Sequence, residues 1–233
     1  QSHGAKYRNK FTGSFGDIAI WSFCNDKIMN TLGEGGMICV NNEKIYKKIW
    51  SLKDCGKNLD KIMNKASNKF DFKWVHDSQG TNLRMTEVQA AVGRYQLRQL
   101  NNSIKIRQRN ASIIYRALKN SKIAIIPKIP TYISHSFYRC YVLLDKKKIN
   151  NKWSKTKMIK YLNSSGIECN SGSCPEIYRE GVFKKFNGRI KARNNARSIN
   201  QSTISFKVHP TISLKNMKIK SKKINEIFSK AEI

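Results

Sequence analysis

The sequence predicts an α/β protein in which one long helix joins two parts of the chain. Short runs of β-branched and aromatic residues alternate with segments whose apolar residues recur at helical spacing. Glycine and proline residues separate these runs, as turns require. The longest helical pattern begins at residue 86, and a helix of that length commonly bridges two domains. The alternation of strands and helices after this helix is compatible with either an α/β or an α+β domain.

Two short strands and a glycine-rich turn are predicted in the first forty residues. Residues 18–23 are rich in β-forming residue types and follow the turn segment at residues 13–16. Residues 37–40 are a second apolar run, and residues 33–36 between the two runs contain three glycines, which permit positive φ. No Lys-Ser or Lys-Thr pair follows these glycines as in a P-loop, so we interpret the segment as a packing turn.

A helix followed by a loop is expected next. Asn41 or Asn42 can cap the helix, because a side-chain oxygen there accepts a hydrogen bond from an orphan backbone N–H. Gly56 suits its C-terminal end. Residues 57–80 are polar and weakly periodic, which indicates a loop with limited structure. The apolar residues that share one face of this helix are Ile45, Ile49 and Leu52.

The long helix has a clear start signal. Thr86, with Gln89 three positions later, fits a capping box. We expect the helix to run on to Leu118, with an interruption or bend near Asn101 and Asn102. Its spaced apolar residues are Val88, Ala91, Val92, Tyr95, Leu100 and Ile104.

Short strands and helices alternate again after residue 120. A last amphipathic helix is capped by Ser213 and directs Met217, Ile224, Ile227 and Phe228 inward. The other predicted elements are an apolar run at 123–126, a strand at 137–144, a short helix at 155–162, a strand start at 166–169, a loop at 171–178 and a polar helix at 190–200.

The net charge of +30 raises the question of a nucleic-acid partner. The lysines are scattered along the whole chain, and the densest runs are short, at residues 146–148 and 218–223. Neither zinc-finger spacing nor an aromatic-basic RNA motif accompanies them. We therefore expect no nucleic-acid partner, although a positive field would attract phosphorylated substrates.

Cysteine spacing and hydropathy argue against several other classes. The six cysteines contain no Cys-x-x-Cys pair, so we expect free thiols and no metal site. No apolar run is long enough to span a bilayer and no charged-then-apolar leader opens the chain, so we expect a cytoplasmic protein without a membrane partner. The chain begins at Gln1 rather than Met, which we interpret as a fragment that lacks its start.

Lys27 is the candidate catalytic residue. It follows the first predicted strand, lies in a turn and precedes the glycine cluster at residues 33–36. A lysine that forms a Schiff base needs a desolvated amine held by rigid elements. A strand end followed by a tight turn supplies that setting.

Several motifs, in the right order, resemble the DegT/DnrJ/StrS family of sugar aminotransferases. The similarity extends over nearly the whole chain, and its first four motifs lie within about forty residues. In order, the motifs are Gln1–Ala5, Gly13–Asp17, Ser22–Lys27, Gly33–Met37, Asn82–Ala91, Ser171–Tyr178 and Val208–Thr211.

The resemblance implies roles for four residues around the cofactor pyridoxal 5'-phosphate (PLP). Lys27 matches the lysine that bonds PLP and then shuttles protons, and Ser22 matches a hydroxyl that binds the cofactor phosphate. Gln1 matches a glutamine near the ring hydroxyl. Asn82 matches an asparagine that reaches the phosphate of the partner subunit's cofactor, which implies a homodimer. Without the resemblance, Ser22 is a polar strand-end residue and Asn82 a turn residue; His209 receives no role.

The resemblance also implies the fold and the domains. It implies the PLP-dependent transferase fold type I, of which this chain holds the C-terminal part. Residues 1–100 would be the C-terminal part of the large PLP-binding domain, and residues 101–233 the bridging helix and the small α/β domain. The aspartate that holds the pyridine nitrogen in the family lies before the position of Gln1. We therefore expect this chain alone to be weakly active or inactive.

The implied reaction is amino transfer, usually from glutamate, to a keto-sugar nucleotide used for cell-surface polysaccharide or O-antigen. Dehydratase members of the family carry a histidine at the position of Lys27, so the lysine favours amino transfer. Two alternatives stay open. One is a catalytically inactive remnant or basic binding module, and the other is a PLP enzyme of the same fold that acts on a non-sugar ketone.

Overall fold

The computed structural model describes residues 1–64, 72–186 and 192–233. The chain divides into two compact units, Gln1–Leu100 and Asn101–Ile233. Both units contain strands and helices, and these alternate in the second unit, in agreement with the predicted α/β class. None of the helices in the described ranges is long and apolar enough to cross a membrane.

The first unit contains two antiparallel strand pairs. A small hairpin, which the sequence did not predict, joins β1 (Lys6–Tyr7) to β2 (Lys10–Phe11). Its two turn residues, Arg8 and Asn9, have φ values of 47° and 65°. The two predicted strands are confirmed as β3 (Ile18–Ser22) and β4 (Gly36–Val40), which pair over five residues each.

Two helices follow in the first unit. The helix α1 (Glu43–Lys53) is capped as predicted, because the backbone N–H of Ile45 donates to Asn42 Oδ1 at 3.0 Å. The loop prediction for residues 57–80 was wrong at residues 59–63, where the short helix α2 (Leu59–Met63) forms. Asn58 caps α2 by accepting from the Lys61 N–H, a signal of the kind used for α1. Part of that predicted loop, residues 65–71, lies outside the described residues.

The long helix α3 (Glu87–Ala117) has the predicted start. The Gln89 N–H donates to Thr86 Oγ1 at 3.3 Å, and the Thr86 N–H donates to Gln89 Oε1 at 3.2 Å, so the capping box forms in both directions. The helix is not interrupted near Asn101 and Asn102. Asparagine inside a helix costs only a few tenths of a kcal/mol relative to average residues, roughly 0.7 relative to alanine, so a pair does not stop a long helix.

The second unit is built on a four-stranded sheet with the strand order β5-β7-β9-β8, whose described pairs are antiparallel. Its strands are β5 (Ala124–Ile125), β7 (Cys140–Leu144), β8 (Cys169–Asn170) and β9 (Thr203–Phe206), and β6 (Ile133–Ser134) precedes β7 in the chain. Its helices are α4 (Lys155–Ser164), α5 (Asn194–Ser202) and α6 (Leu214–Ala231).

Three predictions for the second unit need correction. The strand predicted at 137–144 begins only at Cys140, because Phe137 has a φ of 48° that a strand cannot contain. The strand β9 was not predicted. The loop predicted at 171–178 ends in a short 3₁₀ helix, Ile177–Arg179. The polar helix predicted at 190–200 begins at Asn194 and ends at Ser202, and residues 187–191 lie outside the described part.

The main hydrophobic core lies in the second unit. Helix α6 begins after Ser213, as predicted, and buries the four apolar residues expected of it. They join residues of β7, β9 and the C-terminal half of α3 in one cluster. The largest fully buried side chains of the cluster include Phe206, Phe228, Ile114 and Leu118.

The first unit, in contrast, exposes much of its apolar surface. Ile20 in β3 is 79% exposed, and Met37 and Ile38 in β4 are about half exposed. Two apolar residues of the N-terminal part of α3, Val88 and Tyr95, are also exposed. Large contiguous apolar surface normally marks a region that another part of a protein covers.

Candidate active site

The turn that carries Lys27 lies between β3 and β4. The backbone of Phe23, at its start, forms hydrogen bonds with two residues near its end. The Phe23 N–H donates to the carbonyl of Gly35 at 2.7 Å, and the carbonyl of Phe23 accepts from the Thr31 N–H at 3.2 Å. Inside the loop, the Lys27 N–H donates to the Cys24 carbonyl at 3.0 Å. The antiparallel pairing of β3 and β4 fixes both ends of this segment, so Lys27 is carried on rigid elements, as predicted from the sequence.

The Lys27 side chain is shielded from water. It is 14% exposed, and its Nζ lies 2.9 Å from Oδ1 of Asp26, whose own side chain is 48% exposed. A shielded amine beside a carboxylate has a place to keep its proton and a partner that holds its position. Shielding from water is what a nucleophilic lysine needs, whereas the carboxylate favours the protonated form of the amine and holds the side chain in place.

Two buried polar side chains lie near this turn and were missed by sequence reasoning. His3 is 3% exposed and packs against Trp21 and Phe23, with ring centroids 5.3 and 5.9 Å away. No hydrogen bond of normal geometry reaches either ring nitrogen of His3, or Oγ1 of the fully buried Thr31. Buried polar atoms without protein partners are rare, and strain, a functional role, or a bound water or ion explains them.

Burial lowers the pKa of His3, and the positive charge of Lys27 lowers it further. The backbone of Ser22 lies close enough to oppose part of this shift. His3 is therefore a neutral imidazole at pH 7. The ring contacts of His3 with Trp21 and Phe23, together with the effect of Lys27 on its pKa, indicate that His3, the end of β3 and Lys27 lie near one another in the first unit.

The roles of Ser22 and Gln1 stay predictions, and both residues belong to the same unit as Lys27. Ser22 is the last residue of β3, and its Oγ lies 3.5 Å from the Cys24 N–H, which donates to it. Ser22 is an exposed residue.

Asn82 belongs to a different part of the first unit. It forms an isolated antiparallel bridge with Asp54, at the end of α1. The N–H of Arg84 donates to Asn82 Oδ1 at 3.4 Å. The bonds described for Asn82 thus lie with α1 and its own segment, whereas Lys27 lies in the turn between β3 and β4.

His209 lies in the second unit, where its Nδ1 is 2.8 Å from Oγ1 of Thr211. Burial lowers its pKa, and the charge of Arg107 lowers it further. This contact is local, within the turn after β9, and gives His209 a structural explanation. Within the described ranges, no group of three or more His, Cys, Asp or Glu residues could hold a metal ion.

Two solved structures of aminotransferases have this fold. An aminotransferase from Psychrobacter cryohalolentis is 34% identical and superimposes with a TM-score of 0.92, over 98% of this chain and 60% of that chain. PseC of Helicobacter pylori, an aminotransferase involved in pseudoaminic acid biosynthesis, is 21% identical with a TM-score of 0.83, over 99% of this chain and 58% of that one. At 21% identity, the similarity to PseC is evidence for the fold only.

The chain belongs to the DegT/DnrJ/EryC1/StrS aminotransferase family, which residues 1–222 match. Among its relatives, the GDP-perosamine synthase of Escherichia coli O157:H7 is 32% identical over 143 residues, or 61% of this chain and 35% of that protein. The chain spans about half the length of curated relatives that it matches over most of its own length, 53% and 54% in two cases. The family resemblance predicted from the sequence is confirmed.

Proposed function

We propose that the complete protein is a PLP-dependent aminotransferase that moves an amino group, from glutamate, onto a keto-sugar nucleotide. The product would serve cell-surface polysaccharide or O-antigen synthesis in the cytoplasm. One observation supports this above the others: in a chain of this aminotransferase family, a shielded lysine lies in a closed turn at the end of β3.

The residues present fit PLP in kind. An aldehyde cofactor needs an amine, which Lys27 supplies, and its phosphate needs a hydroxyl donor, which Ser22 offers. The ring nitrogens of His3 and Oγ1 of Thr31 are polar atoms that lack partners beside this turn. When bound, PLP supplies the electron sink for the reaction, and the protein supplies orientation and charge.

Each residue then has a specific task. Lys27 Nζ would hold the cofactor covalently and, once released from it, would take a proton and return it. Oδ1 of Asp26, 2.9 Å away, stabilises the protonated form of this amine. Ser22 Oγ would donate to the cofactor phosphate, and Gln1 would lie near the ring hydroxyl. Asn82 would donate to the phosphate of the partner subunit's cofactor, and the working enzyme would then be a homodimer.

The domain assignment is part of the same proposal. Residues 1–100 belong to the large domain of a fold type I enzyme, and residues 101–233 contain the small domain. The exposed apolar residues of β3, β4 and α3 support this, because a preceding part of the large domain would cover them. In that arrangement the preceding part also supplies the aspartate for the pyridine nitrogen, so residues 1–233 alone have little or no activity.

The sugar-nucleotide substrate is supported by relatives and by charge. The E. coli relative is a GDP-perosamine synthase, as its name states. The net charge of +30 would attract a substrate that carries a diphosphate, since a positive field raises the association rate of anions. Lys27 stands where dehydratase members of the family have a histidine, which favours amino transfer over deoxygenation.

Amino transfer is tested with the full-length protein in two half-reactions. Glutamate should convert the PLP form to the amino form, and a 4-keto sugar nucleotide should restore the PLP form; Lys27→Ala should do neither. Turnover with a simple cyclic ketone but no keto-sugar nucleotide would instead support the non-sugar alternative. Tight, steeply salt-dependent binding to duplex DNA without any PLP binding would support a basic binding module.

A further inference from the structure

The buried carboxylate of Asp54 is the centre of an ion-pair cluster that the reaction does not use, and its partner cations are partly exposed. Asp54 is 7% exposed and lies just after α1. Its Oδ1 accepts from Arg84 Nη1 at 2.9 Å and from Lys57 Nζ at 3.0 Å, and Lys53 Nζ is 3.5 Å from Oδ2. These cations, with the hydrogen bond from Lys57 first, hold the pKa of Asp54 below its usual range. Asp54 is therefore ionised at pH 7.

Backbone hydrogen bonds join the end of α1 to the segment that carries Asn82. The Thr81 N–H donates to the Leu52 carbonyl at 2.8 Å, and the Leu83 N–H donates to the Lys53 carbonyl at 2.9 Å. In return, the Cys55 N–H donates to the Thr81 carbonyl at 3.2 Å. Asn82 is thus held on both sides by bonds to α1 and the residues after it.

Two glycines let the neighbouring turns pack closely. Gly56 has a φ of +80°, and a Cβ at this position would lie 1.7 Å from the carbonyl oxygen of Ser78. A Cβ at Gly80 would lie 2.2 Å from the backbone nitrogen of Gly56. This contact leaves the segment before Asn82 little room to shift relative to α1.

We propose that Asp54 is a positioning residue for Asn82, acting through Arg84. The inference rests on the proposed function, in which Asn82 binds the phosphate of the partner subunit's cofactor. Arg84 is anchored by Asp54, and its backbone N–H donates to Asn82 Oδ1 at 3.4 Å. That bond occupies the oxygen end of the carboxamide, so Nδ2 is the end presented to an anion. A side chain fixed in this way loses less entropy when it binds a phosphate.

The test is a double-mutant cycle in the full-length protein. Asp54→Asn, Asn82→Ala and the double variant are titrated with PLP, and the dissociation constant is read from the cofactor absorbance. Asp54→Asn should raise the dissociation constant roughly ten-fold, since a misplaced Asn82 would lose its hydrogen bond to the charged phosphate, and the loss of such a bond weakens binding by about that factor. In the Asn82→Ala background, the same change should have an effect of less than about two-fold.

Asp77→Asn is the matched control. Asp77 lies on the same segment and accepts hydrogen bonds from Lys61 Nζ at 2.6 Å and from Asn58 Nδ2 at 2.8 Å. The substitution removes the same charge without touching Arg84, so it should change the PLP dissociation constant less than about two-fold. Arg84→Gln is a second variant, because it breaks the Asp54 contact and leaves Lys57 in place, and it should act in the same direction as Asp54→Asn.

Three results would overturn the inference while the proposed function stands. The first is that Asp54→Asn changes the PLP dissociation constant equally with and without Asn82. The second is that Asp77→Asn weakens PLP binding as much as Asp54→Asn does. The third is that both Asp54→Asn and Arg84→Gln bind PLP with wild-type affinity. The turnover number at saturating PLP should fall less than the affinity; an equal fall in both would also contradict positioning. If the unmodified protein binds no PLP, the proposed function itself fails.

Discussion

Gly35→Ala tests how tightly the Lys27 turn is packed. A Cβ at Gly35 would lie 2.4 Å from Oγ1 of Thr31, which is fully buried and cannot turn towards solvent. The next atoms, in Met85 and Phe23, lie at 3.4 and 3.5 Å, which are ordinary contacts. The backbone of Gly35 is not in the left-handed region, so the predicted effect is steric rather than conformational.

The magnitude follows from that one contact. Heavy atoms that are not bonded rarely approach below about 3.4 Å, so Thr31 or the loop must move by about 1 Å. Overpacking of this kind costs roughly 1–3 kcal/mol, and the reduced entropy of the unfolded chain offsets about 0.4–1 kcal/mol. We expect a net loss of about 1–2 kcal/mol in the free energy of unfolding, together with weaker PLP binding because the turn carries Lys27.

Urea unfolding of the full-length protein, followed by tryptophan fluorescence, measures this loss. Gly16→Ala is the control, since a Cβ there would meet only the Ile18 carbonyl oxygen, at 3.8 Å. In a Thr31→Ala background, which removes the clashing oxygen, Gly35→Ala should change stability by less than about 0.5 kcal/mol. Equal stability of Gly35→Ala and Gly16→Ala, or no relief by Thr31→Ala, would refute the packing argument.

Three further predictions concern the second unit. Phe228→Ala empties part of a core in which Phe228 is fully buried, so it should lower the free energy of unfolding by about 3–5 kcal/mol in urea titrations. Burial raises the pKa of the Cys140 thiol to about 12, so a thiol reagent at pH 8 should modify exposed Cys39 in the native protein and leave Cys140 until it unfolds. The pKa of Glu176 is lowered, mainly by the hydrogen bond from Tyr178, so its stabilising contribution is present above the ordinary carboxylate pKa and is lost as pH falls through the lowered value. The urea midpoint of Glu176→Gln should therefore vary less than that of wild type between pH 7 and pH 3.

Helix starts were predictable because each depends on one or two neighbouring side chains. The capping pair Thr86 and Gln89 forms as the sequence indicates, and Ser213 accepts from the Asn216 N–H at the start of α6. In contrast, β9 has only four residues and follows α5 directly. Its stability comes from pairing with β7, far away in sequence, and no local pattern reports that contact.

In the candidate site, too, residues set by local sequence were predictable and residues set by distant packing were not. Lys27 and Ser22 were predictable, because a strand end and its turn are local features and the family motif includes both. His3 lies within a family motif, but the sequence indicates no role for it, because its burial depends on packing against Trp21 and Phe23. Thr31 carried no sequence signal at all, since its buried hydroxyl is a consequence of how the loop closes.

The most direct test of the account is to find which lysine bonds the cofactor. The full-length protein is incubated with PLP, reduced with borohydride and digested, and the labelled peptide is identified by mass spectrometry. The account predicts a single pyridoxyl label on Lys27, lost in Lys27→Ala. A label on another lysine, or no label at any concentration of PLP, would contradict it.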